Sequence, residues 1–360
     1  MATAASSGVA LSPVNPWPAD GLEFVPACPV CGGTERELAH RGLRDRVFFC
    51  APGEWNLFRC LSCGTGYLDP RPNAATVGLA YSQYFTHHSA ASVEQPPRSA
   101  WRRHRTAQRN AYLNARYGYQ LSPASREPRG LSTERRQRFD KQVAYLPYPG
   151  KGARLLDVGC GNGRFLMQMR ATGWEVAGVE PDPKAAAAAN AAGLNVKIGL
   201  LEAGTQPDAA FDAITMNHVI EHLHHPAETL RQCRRVLKPG GVISIATPNF
   251  AARGHEIFGA DWFPLDPPRH LVLFTPSSLQ QALRAAGLES EPAIRLRLTA
   301  KDMFLQSMFI QRGGDPIRRK PGLGFADYFK TLWLARQVES ATRRAPELAE
   351  EIVLLGRRAD

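Results

Sequence analysis

The sequence has no run of apolar residues long enough to cross a bilayer, since no stretch approaches the roughly 18 consecutive apolar residues that a membrane helix needs. Residues 1–21 lack the basic segment and apolar segment of a secretory leader. Disorder over most of the chain is excluded, because 44% of the 360 residues are hydrophobic. These absences predict a folded cytoplasmic protein with a flexible N-terminus and with reduced cysteines rather than disulfides.

Acidic residues are scarce in one segment. The whole chain has 44 lysines and arginines against 33 aspartates and glutamates, a net charge of +11. Residues 91–150 contain 12 basic and 4 acidic residues, so this segment alone carries +8. A uniformly basic surface would suggest nonspecific nucleic-acid binding, but a local block does not. It indicates either a site for an anionic substrate or a solvated helical face.

Four of the seven cysteines form two C-x-x-C pairs, Cys28 with Cys31 and Cys60 with Cys63. Two such pairs complete a closed tetrahedral set of thiolates, the ligand set of structural Zn²⁺. The short apolar segments between them have the composition of strands, so residues 22–75 are predicted to form a zinc ribbon. Reduced cysteines without a metal are the alternative. With four thiolates in place, the predicted zinc stabilises the fold and takes no part in chemistry.

Residues 76–150 are predicted to form a connector of polar, arginine-rich helices interrupted at prolines and glycines near 122–123 and 128–130. Tryptophan and tyrosine residues alternate with its arginines. Two roles stay open for this connector: part of a substrate entrance that binds an anion, or a surface linker.

From residue 151 the pattern changes to strands alternating with helices. Residues 154–158 form a short apolar strand, followed by a loop with Gly159, Gly161 and Gly163 and then a helical apolar stripe. A second strand ends at Glu180. Two strand–loop–helix units in a row predict a parallel sheet with right-handed crossovers and a ligand at the carboxyl ends of its strands. Glu180 is placed there to bind the two hydroxyls of a ribose.

The glycine loop favours S-adenosylmethionine over a dinucleotide. Its spacing is not the G-x-G-x-x-G pattern that binds a pyrophosphate. Asp157 lies at the end of the preceding strand, where a carboxylate would repel a pyrophosphate but would attract an ammonium group such as that of a methionine moiety.

Several motifs in this order resemble those of class I S-adenosylmethionine-dependent methyltransferases, with the closest likeness to the branch that contains ubiquinone-biosynthesis O-methyltransferases. They are Asp157–Gly163, Glu180, Gly199–Glu202, Phe211–Leu223, Val236–Asn249 and Ala349–Leu355. The likeness covers roughly residues 150–295 and resumes at the last of these motifs. It implies an α/β, Rossmann-like fold: a seven-stranded sheet with its last strand antiparallel and helices on both faces.

The resemblance also implies which residues contact the cofactor. The glycines would wrap the methionine and ribose, Asp157 would face the amino-acid end, and the residues after the third strand would flank the adenine. The full predicted set is Asp157, Gly159, Cys160, Gly161, Gly163, Glu180, Pro181, Leu200, Leu201, Glu202, Asn217 and His218.

Residues at the end of the fourth predicted strand are candidates for the chemistry. His218, Glu221 and His222 have the i, i+3, i+4 spacing that places side chains on one face if a helix begins there. Transfer to a hydroxyl needs an aligned acceptor and removal of its proton, and His222 or His270 is the expected general base. Some relatives bind a divalent metal through Glu-x-x-Glu-His and a distant histidine. Because His218 replaces the first of those glutamates, a second metal at these four residues is the less favoured alternative.

The remaining segments complete the domain plan. The methyltransferase core is assigned to residues 151–300, a helical insertion to 301–346 and the last core strand to 347–360. Apolar helical patches in the insertion suit a lid over the acceptor pocket, a homodimer interface or contact with a membrane surface. A lid is the preferred interpretation.

The leading hypothesis is an enzyme that O-methylates a small-molecule acceptor, such as a sugar, a glycolipid intermediate or a secondary metabolite, with an anionic group on the acceptor as a possibility raised by the basic segment. A zinc-ribbon methyltransferase acting on rRNA or tRNA is the competing enzyme hypothesis, although nucleic acid is not the expected partner. Two further hypotheses are a non-enzymatic S-adenosylmethionine-binding interaction protein and a dinucleotide-binding protein.

Overall fold

The computed structural model describes residues 17–82, 99–291, 294–295, 297 and 299–360. Most of the predicted flexible N-terminus and residues 91–98 of the basic segment therefore lie outside the described residues. No helix within the described ranges is both long and apolar enough to cross a membrane.

The strands are β1 (Leu22–Glu23), β2 (Arg36–Leu43), β3 (Trp55–Cys60), β4 (Gly66–Leu68), β5 (Arg71–Pro72), β6 (Arg154–Val158), β7 (Glu175–Glu180), β8 (Val196–Ile198), β9 (Phe211–Asn217), β10 (Leu237–Pro248), β11 (Val272–Leu273), β12 (Leu288–Ser290) and β13 (Glu351–Arg358). The α-helices are α1 (Ala100–Tyr117), α2 (Thr133–Gln142), α3 (Arg164–Arg170), α4 (Pro183–Ala191), α5 (Pro226–Val236), α6 (Arg253–Phe258), α7 (Pro276–Ala285), α8 (Ala300–Gln311) and α9 (Phe325–Thr342).

A seven-stranded sheet forms the centre, in the order β12-β13-β10-β9-β6-β7-β8. Strands β6 to β10 run parallel, and β13 pairs antiparallel with both β10 and β12. The middle strands are nearly continuous runs of buried apolar residues, as a parallel sheet covered on both faces requires. The predicted α/β fold with seven strands and an antiparallel last strand is confirmed.

Helices cover both faces of this sheet. On one face, Leu230 and Cys233 of α5 and Leu279 of α7 join the larger hydrophobic core. On the other face, α3 and α4 pack beside α1 and α2 in a second core. The carboxyl ends of the parallel strands stay free of these layers, and the connecting loops there carry the predicted site residues.

The connector helices α1 and α2 are part of the protein interior as well as of its surface. Leu113, Phe139 and Val143 are buried against the central sheet, whereas basic side chains such as Arg102 and Arg136 are exposed. The helices are amphipathic, so the basic residues occupy the face turned away from the core. Covering the sheet is thus a structural role that neither predicted role of the connector included.

Three N-terminal strands form a second sheet with a strand contributed by the core, and β1 and β5 pair separately. Its order is β11-β4-β3-β2, in which Val272 of β11 pairs with Tyr67 of β4. The 22–75 segment and the core are therefore joined through backbone hydrogen bonds of one continuous sheet.

Arg269 fixes the same junction with a buried ionic cluster. Its guanidinium lies 2.5 Å from a carboxylate oxygen of Asp45 and 2.5 Å from one of Asp266, and the arginine and Asp45 side chains are fully buried. Asp45 also accepts hydrogen bonds from four backbone N–H groups in the following loop, residues 47–51. Burial alone would raise the pKa of Asp45, but Arg269 outweighs it and lowers this pKa to about 2.

A histidine pair at the junction makes the fold sensitive to acid. The Nε2 atoms of His40 on β2 and His255 on α6 lie 2.8 Å apart. At this distance one nitrogen donates a proton and the other accepts it, so the two Nε2 atoms carry a single proton between them. Burial and the charge of His255 lower the pKa of His40 to about 4, whereas an exposed histidine titrates near 6.5. As the pH falls, His40 therefore binds a proton in the unfolded chain before it does so in the folded protein. We expect the stability contributed by this pair to be present above about pH 6.5 and to be lost as the pH falls towards 4.

Urea unfolding between pH 7.5 and 4.5 measures this effect. His40→Gln, which keeps a donor for His255, should show a shallower loss of stability with acid than the wild type, and replacement of the exposed His104 by glutamine should leave the slope unchanged. Equal slopes for His40→Gln and the wild type would contradict the prediction.

Candidate active site

The glycine loop follows β6, and its three positions differ in why a glycine is present. All three have positive φ, from 53° to 77°. A Cβ atom on Gly159 would approach Val219 to 2.5 Å, and one on Gly163 would approach Leu194 to 2.2 Å, so both are needed for close packing. A Cβ on Gly161 would meet nothing within 4 Å. The loop therefore presents open space at its middle glycine.

Glu180 at the end of β7 is bonded to this loop. One of its carboxylate oxygens accepts a hydrogen bond of 2.7 Å from the backbone N–H of Gly161, and the other accepts one of 3.0 Å from Asp182. Burial raises the pKa of this carboxyl, and the two N–H donors oppose that effect. The side chain is thus held beside the open part of the loop, with Pro181 exposed next to it.

Asp157 is held more deeply, in β6 itself. Its carboxylate accepts a 2.6 Å hydrogen bond from the Thr215 hydroxyl on the neighbouring strand, and burial raises its pKa to about 7. Cys160 is buried and packs over Gly178, whose missing side chain leaves room for the sulfur. The small size of this side chain suits the tight loop.

The other predicted cofactor residues lie after β8 and β9. Leu201 is buried, but Leu200 is 50% exposed and Glu202 is exposed as well. Asn217 is exposed at the end of β9, where its side-chain oxygen accepts a 3.1 Å hydrogen bond from Arg297. The exposed Leu200 side chain, which follows β8, is suited to contact a planar ring.

His218 is held between two carboxylates. Its Nδ1 lies 3.2 Å from Glu221, and its Nε2 lies 2.6 Å from Glu351. Burial alone would lower the pKa of His218, but these two partners outweigh burial and raise the pKa to about 9. Because both nitrogens donate to carboxylates, His218 is an imidazolium and offers no lone pair for removing a proton.

No α-helix begins at His218. The residue has a left-handed φ of 54°, a single 3₁₀ turn covers Ile220–His222, and α5 begins only at Pro226. The prediction that His218, Glu221 and His222 share one face of a helix is therefore wrong. Glu221 contacts His218, while His222 turns towards His270.

His222 and His270 each have one nitrogen fixed by a backbone carbonyl. Nδ1 of His222 lies 2.9 Å from the carbonyl oxygen of Arg269, and Nδ1 of His270 lies 2.7 Å from that of Pro264. Since a carbonyl only accepts, both Nδ1 atoms carry a proton, and Nε2 is the nitrogen of each ring that can accept one. Burial, together with the charge of His270, lowers the pKa of His222 to about 4, so that imidazole is neutral near pH 7.

These two histidines form a compact group with Glu221. The imidazole rings are 4.7 Å apart, and one ligand atom from each of the three residues lies within 4.8 Å of the others. Glu221 is fully buried and accepts a 3.0 Å hydrogen bond from Thr247. The group combines two imidazoles and one carboxylate, which suits either proton transfer or divalent-metal binding.

Comparison with known proteins decides the family. A family model described as a methyltransferase domain matches residues 131–292. A ubiquinone biosynthesis O-methyltransferase from Roseobacter denitrificans is 31% identical over 171 residues, which are 68% of that protein and 44% of this chain. This chain belongs to the class I S-adenosylmethionine-dependent methyltransferases. The hypotheses of a non-enzymatic interaction protein and of a dinucleotide-binding protein are thereby set aside.

Other comparisons give the extent of the similarity to this methyltransferase. A ubiquinone biosynthesis O-methyltransferase from an Azoarcus species is 34% identical over 65% of its own length and 38% of this chain. A solved S-adenosylmethionine-dependent methyltransferase from Archaeoglobus fulgidus superposes with a TM-score of 0.42 at 20% identity, over 91% of that chain and 61% of this one. The curated alignments span about two thirds of the relatives and less than half of the methyltransferase described here.

Outside the matched region, the methyltransferase has a cluster of four cysteine thiols. The Sγ atoms of Cys28 and Cys63 are 3.6 Å apart, those of Cys31 and Cys60 are 3.5 Å apart, and all four lie within 4.8 Å of one another. A tetrahedral zinc with sulfur bonds of about 2.3 Å would separate its ligands by about 3.8 Å. The backbone N–H of Gly33 donates to Cys31 Sγ, as backbone donors to metal-bound thiolates do.

Three side chains at the site of this methyltransferase were not predicted from its sequence. Glu351 binds His218, Arg297 contacts Asn217, and the Tyr81 hydroxyl lies 2.9 Å from Nδ1 of His222. Only Glu351 had a signal in the sequence, since two adjacent acids at the start of an apolar strand are unusual. Tyr81 and Arg297 come from distant segments with no motif around them.

Proposed function

We propose that this methyltransferase transfers a methyl group to an oxygen of a small-molecule acceptor, such as a sugar, a glycolipid intermediate or a secondary metabolite. S-adenosylmethionine, when bound, supplies the electrophilic methyl group. Glu180 would hold its ribose hydroxyls, Asp157 would face its amino-acid end and Leu200 would cover its adenine. The exposed arginines of α1 and α2 support an acceptor that carries negative charge.

The pair of His222 and His270 carries the proposal for the acid–base step. In each ring Nε2 is the nitrogen that can accept a proton, because Nδ1 donates to a carbonyl oxygen. This pair would accept the proton of an acceptor hydroxyl as the oxygen attacks the methyl carbon. His218 would not accept this proton, because its two nitrogens donate to Glu221 and Glu351; it would act as a positioning residue that holds Glu221 beside the pair.

We expect His222→Ala and His270→Ala each to lower the rate of transfer by about 10²- to 10⁴-fold, the usual contribution of general acid–base catalysis. The assay incubates methyl-labelled S-adenosylmethionine with the protein and fractionated cell extract, with Asp157→Ala as the blank that should not bind the cofactor. Calorimetric binding of S-adenosylmethionine should survive both histidine changes. Label recovered in RNA rather than in small molecules would overturn the acceptor class and favour an RNA methyltransferase.

We also propose that the four cysteines bind one structural Zn²⁺. Cys60→Ser should remove it and destabilise the 22–75 segment together with the strand β11 that pairs with it, whereas Cys233→Ser, at a buried thiol of α5, should keep the metal. Metal analysis by mass spectrometry should find one zinc per chain in the wild type and none in Cys60→Ser. Zinc retained by Cys60→Ser would contradict the assignment.

The group of Glu221, His222 and His270 fits a divalent cation as a second candidate role. The observation that supports this role is the donor set itself, two imidazoles whose Nδ1–H groups are held by carbonyls and one carboxylate. A cation there would lower the pKa of the acceptor hydroxyl directly. A second metal that persists in Cys60→Ser and disappears in His270→Ala would establish this role in place of the histidine base.

A further inference from the structure

One face of α9 exposes large aromatic side chains in a stripe. Phe325, Phe329 and Trp333 follow one another at intervals of four residues and are 80%, 51% and 59% exposed, and Tyr328 beside them is 40% exposed. The rings of Phe325 and Phe329 are 4.3 Å apart, so the side chains form one continuous surface. We call these four residues the aromatic ridge.

The opposite face of α9 is already used for packing. Thr331, Ala335 and Val338 are buried where α9 lies against α8. The ridge therefore faces away from the protein, and no described residue covers it. An apolar surface of this kind is a typical site of interaction.

Exposed cations flank the ridge along the chain. They are Arg318, Arg319, Lys320, Lys330 and Arg336, and we call them the basic rim. Between Pro316 and Val338 the single acidic residue is Asp327, which is paired with Arg312 at 2.6 Å. Just before this range, Asp315 lies 3.7 Å from Arg318. The five cations of the rim therefore keep a net positive charge.

Charge complementarity selects the occupant of this surface. A second copy of the chain placed face to face on the ridge would bring two basic rims together, which opposes association. A bilayer with anionic headgroups instead provides phosphates for the rim and an interfacial region in which tryptophan, tyrosine and phenylalanine side chains are stable. A helix with one apolar aromatic face and basic neighbours is typical of an element that lies in that interface without spanning it.

A short series of contacts connects the helix beneath the ridge to the candidate active site. On α8, the helix beneath α9, Ser307 accepts a 2.9 Å hydrogen bond from the backbone N–H of Phe263. Phe263 begins the 3₁₀ turn whose Pro264 carbonyl fixes His270. A partner bound to α9 would therefore be separated from the loop that carries His270 by the two helices α9 and α8.

We propose that the aromatic ridge and basic rim of α9 bind the surface of an anionic phospholipid bilayer. The interaction is peripheral: the aromatic rings enter the interface and the rim contacts lipid phosphates. It does not depend on the proposed O-methylation, since it involves a different face of the molecule.

Co-sedimentation of the full-length protein with vesicles tests the proposal. Vesicles of phosphatidylcholine with phosphatidylglycerol should bind the protein at least tenfold more tightly than phosphatidylcholine alone, and salt at about 0.5 M should reverse much of the difference, because the Debye length then falls to about 4 Å. The double variant Phe329→Ser/Trp333→Ser and the triple variant Arg318→Ala/Arg319→Ala/Lys320→Ala should each lose about tenfold or more in binding to the anionic vesicles.

Phe24→Ser is the matched control, since Phe24 is 80% exposed on the N-terminal segment and far along the chain from α9. It should bind like the wild type, and circular dichroism should show all variants folded. Equal binding to neutral and anionic vesicles, or unchanged binding by the ridge variant, would overturn the proposal. Sedimentation showing a dimer that Phe329→Ser/Trp333→Ser dissociates, without vesicle binding by the wild type, would overturn it in favour of a second copy.

Discussion

Arg269→Met should lower the free energy of unfolding by about 3–5 kcal/mol, the usual effect of removing one partner from a buried ion pair. The substitution leaves Asp45 and Asp266 buried without their shared cation. It also removes the hydrogen bond from Arg269 to the Ala80 carbonyl. Since Asp45 organises the loop at 47–51, we expect the N-terminal segment to separate from the core first.

Urea unfolding followed by tryptophan fluorescence measures this loss. Arg253→Met is the matched control, because Arg253 forms an exposed pair with Glu256 and its loss should change stability by less than about 1 kcal/mol. The double variant Asp45→Asn/Arg269→Met should recover part of the loss, since it removes one of the stranded charges. A destabilisation by Arg269→Met no larger than that by Arg253→Met would show that the cluster does not hold the junction.

Glu180→Ala should weaken binding of S-adenosylmethionine by about 100-fold. Two hydrogen bonds between a ribose and a buried carboxylate contribute about 3 kcal/mol together, because bonds to charged acceptors are the stronger kind. The substitution also frees the backbone N–H of Gly161, which Glu180 holds at 2.7 Å. Both effects act on the cofactor and neither involves the His222–His270 pair.

Isothermal titration calorimetry compares this variant with Glu175→Ala, which alters the carboxylate at the other, exposed end of the same strand β7. Glu175→Ala should bind S-adenosylmethionine like the wild type. A Glu180→Ala protein with undiminished affinity for S-adenosylmethionine would reject Glu180 as the ribose ligand.

The central sheet could be predicted from the sequence because its signals are local. The apolar strand 154–158, the three glycines after it and the acid that ends the next strand all lie within 27 residues. Each has a direct structural reason, such as the close approach of Gly163 to Leu194. The spacing of the cysteine pairs is local in the same sense, and the thiols do converge.

The rest depends on contacts between distant segments. The bond between Arg269 and Asp45 joins residues 224 positions apart, so no local pattern in the sequence pairs them. The same holds for Glu351, which determines the protonation of His218 from a strand 133 positions further along the chain. Helical spacing predicts that His218, Glu221 and His222 share one face. The left-handed backbone of His218 instead separates their side chains. The amino-acid sequence does not predict this conformation for a histidine.

The pairing of β11 with β4 has a consequence for biosynthesis. Val272 reaches its partner Tyr67 only after 205 further residues have been added to the chain. At about 5–20 residues per second, the N-terminal sheet waits on the order of 10–40 s on the ribosome with one edge unpaired. The segment that is made first is thus completed among the last, and a protein released before residue 273 would carry an open strand edge that invites association with other chains.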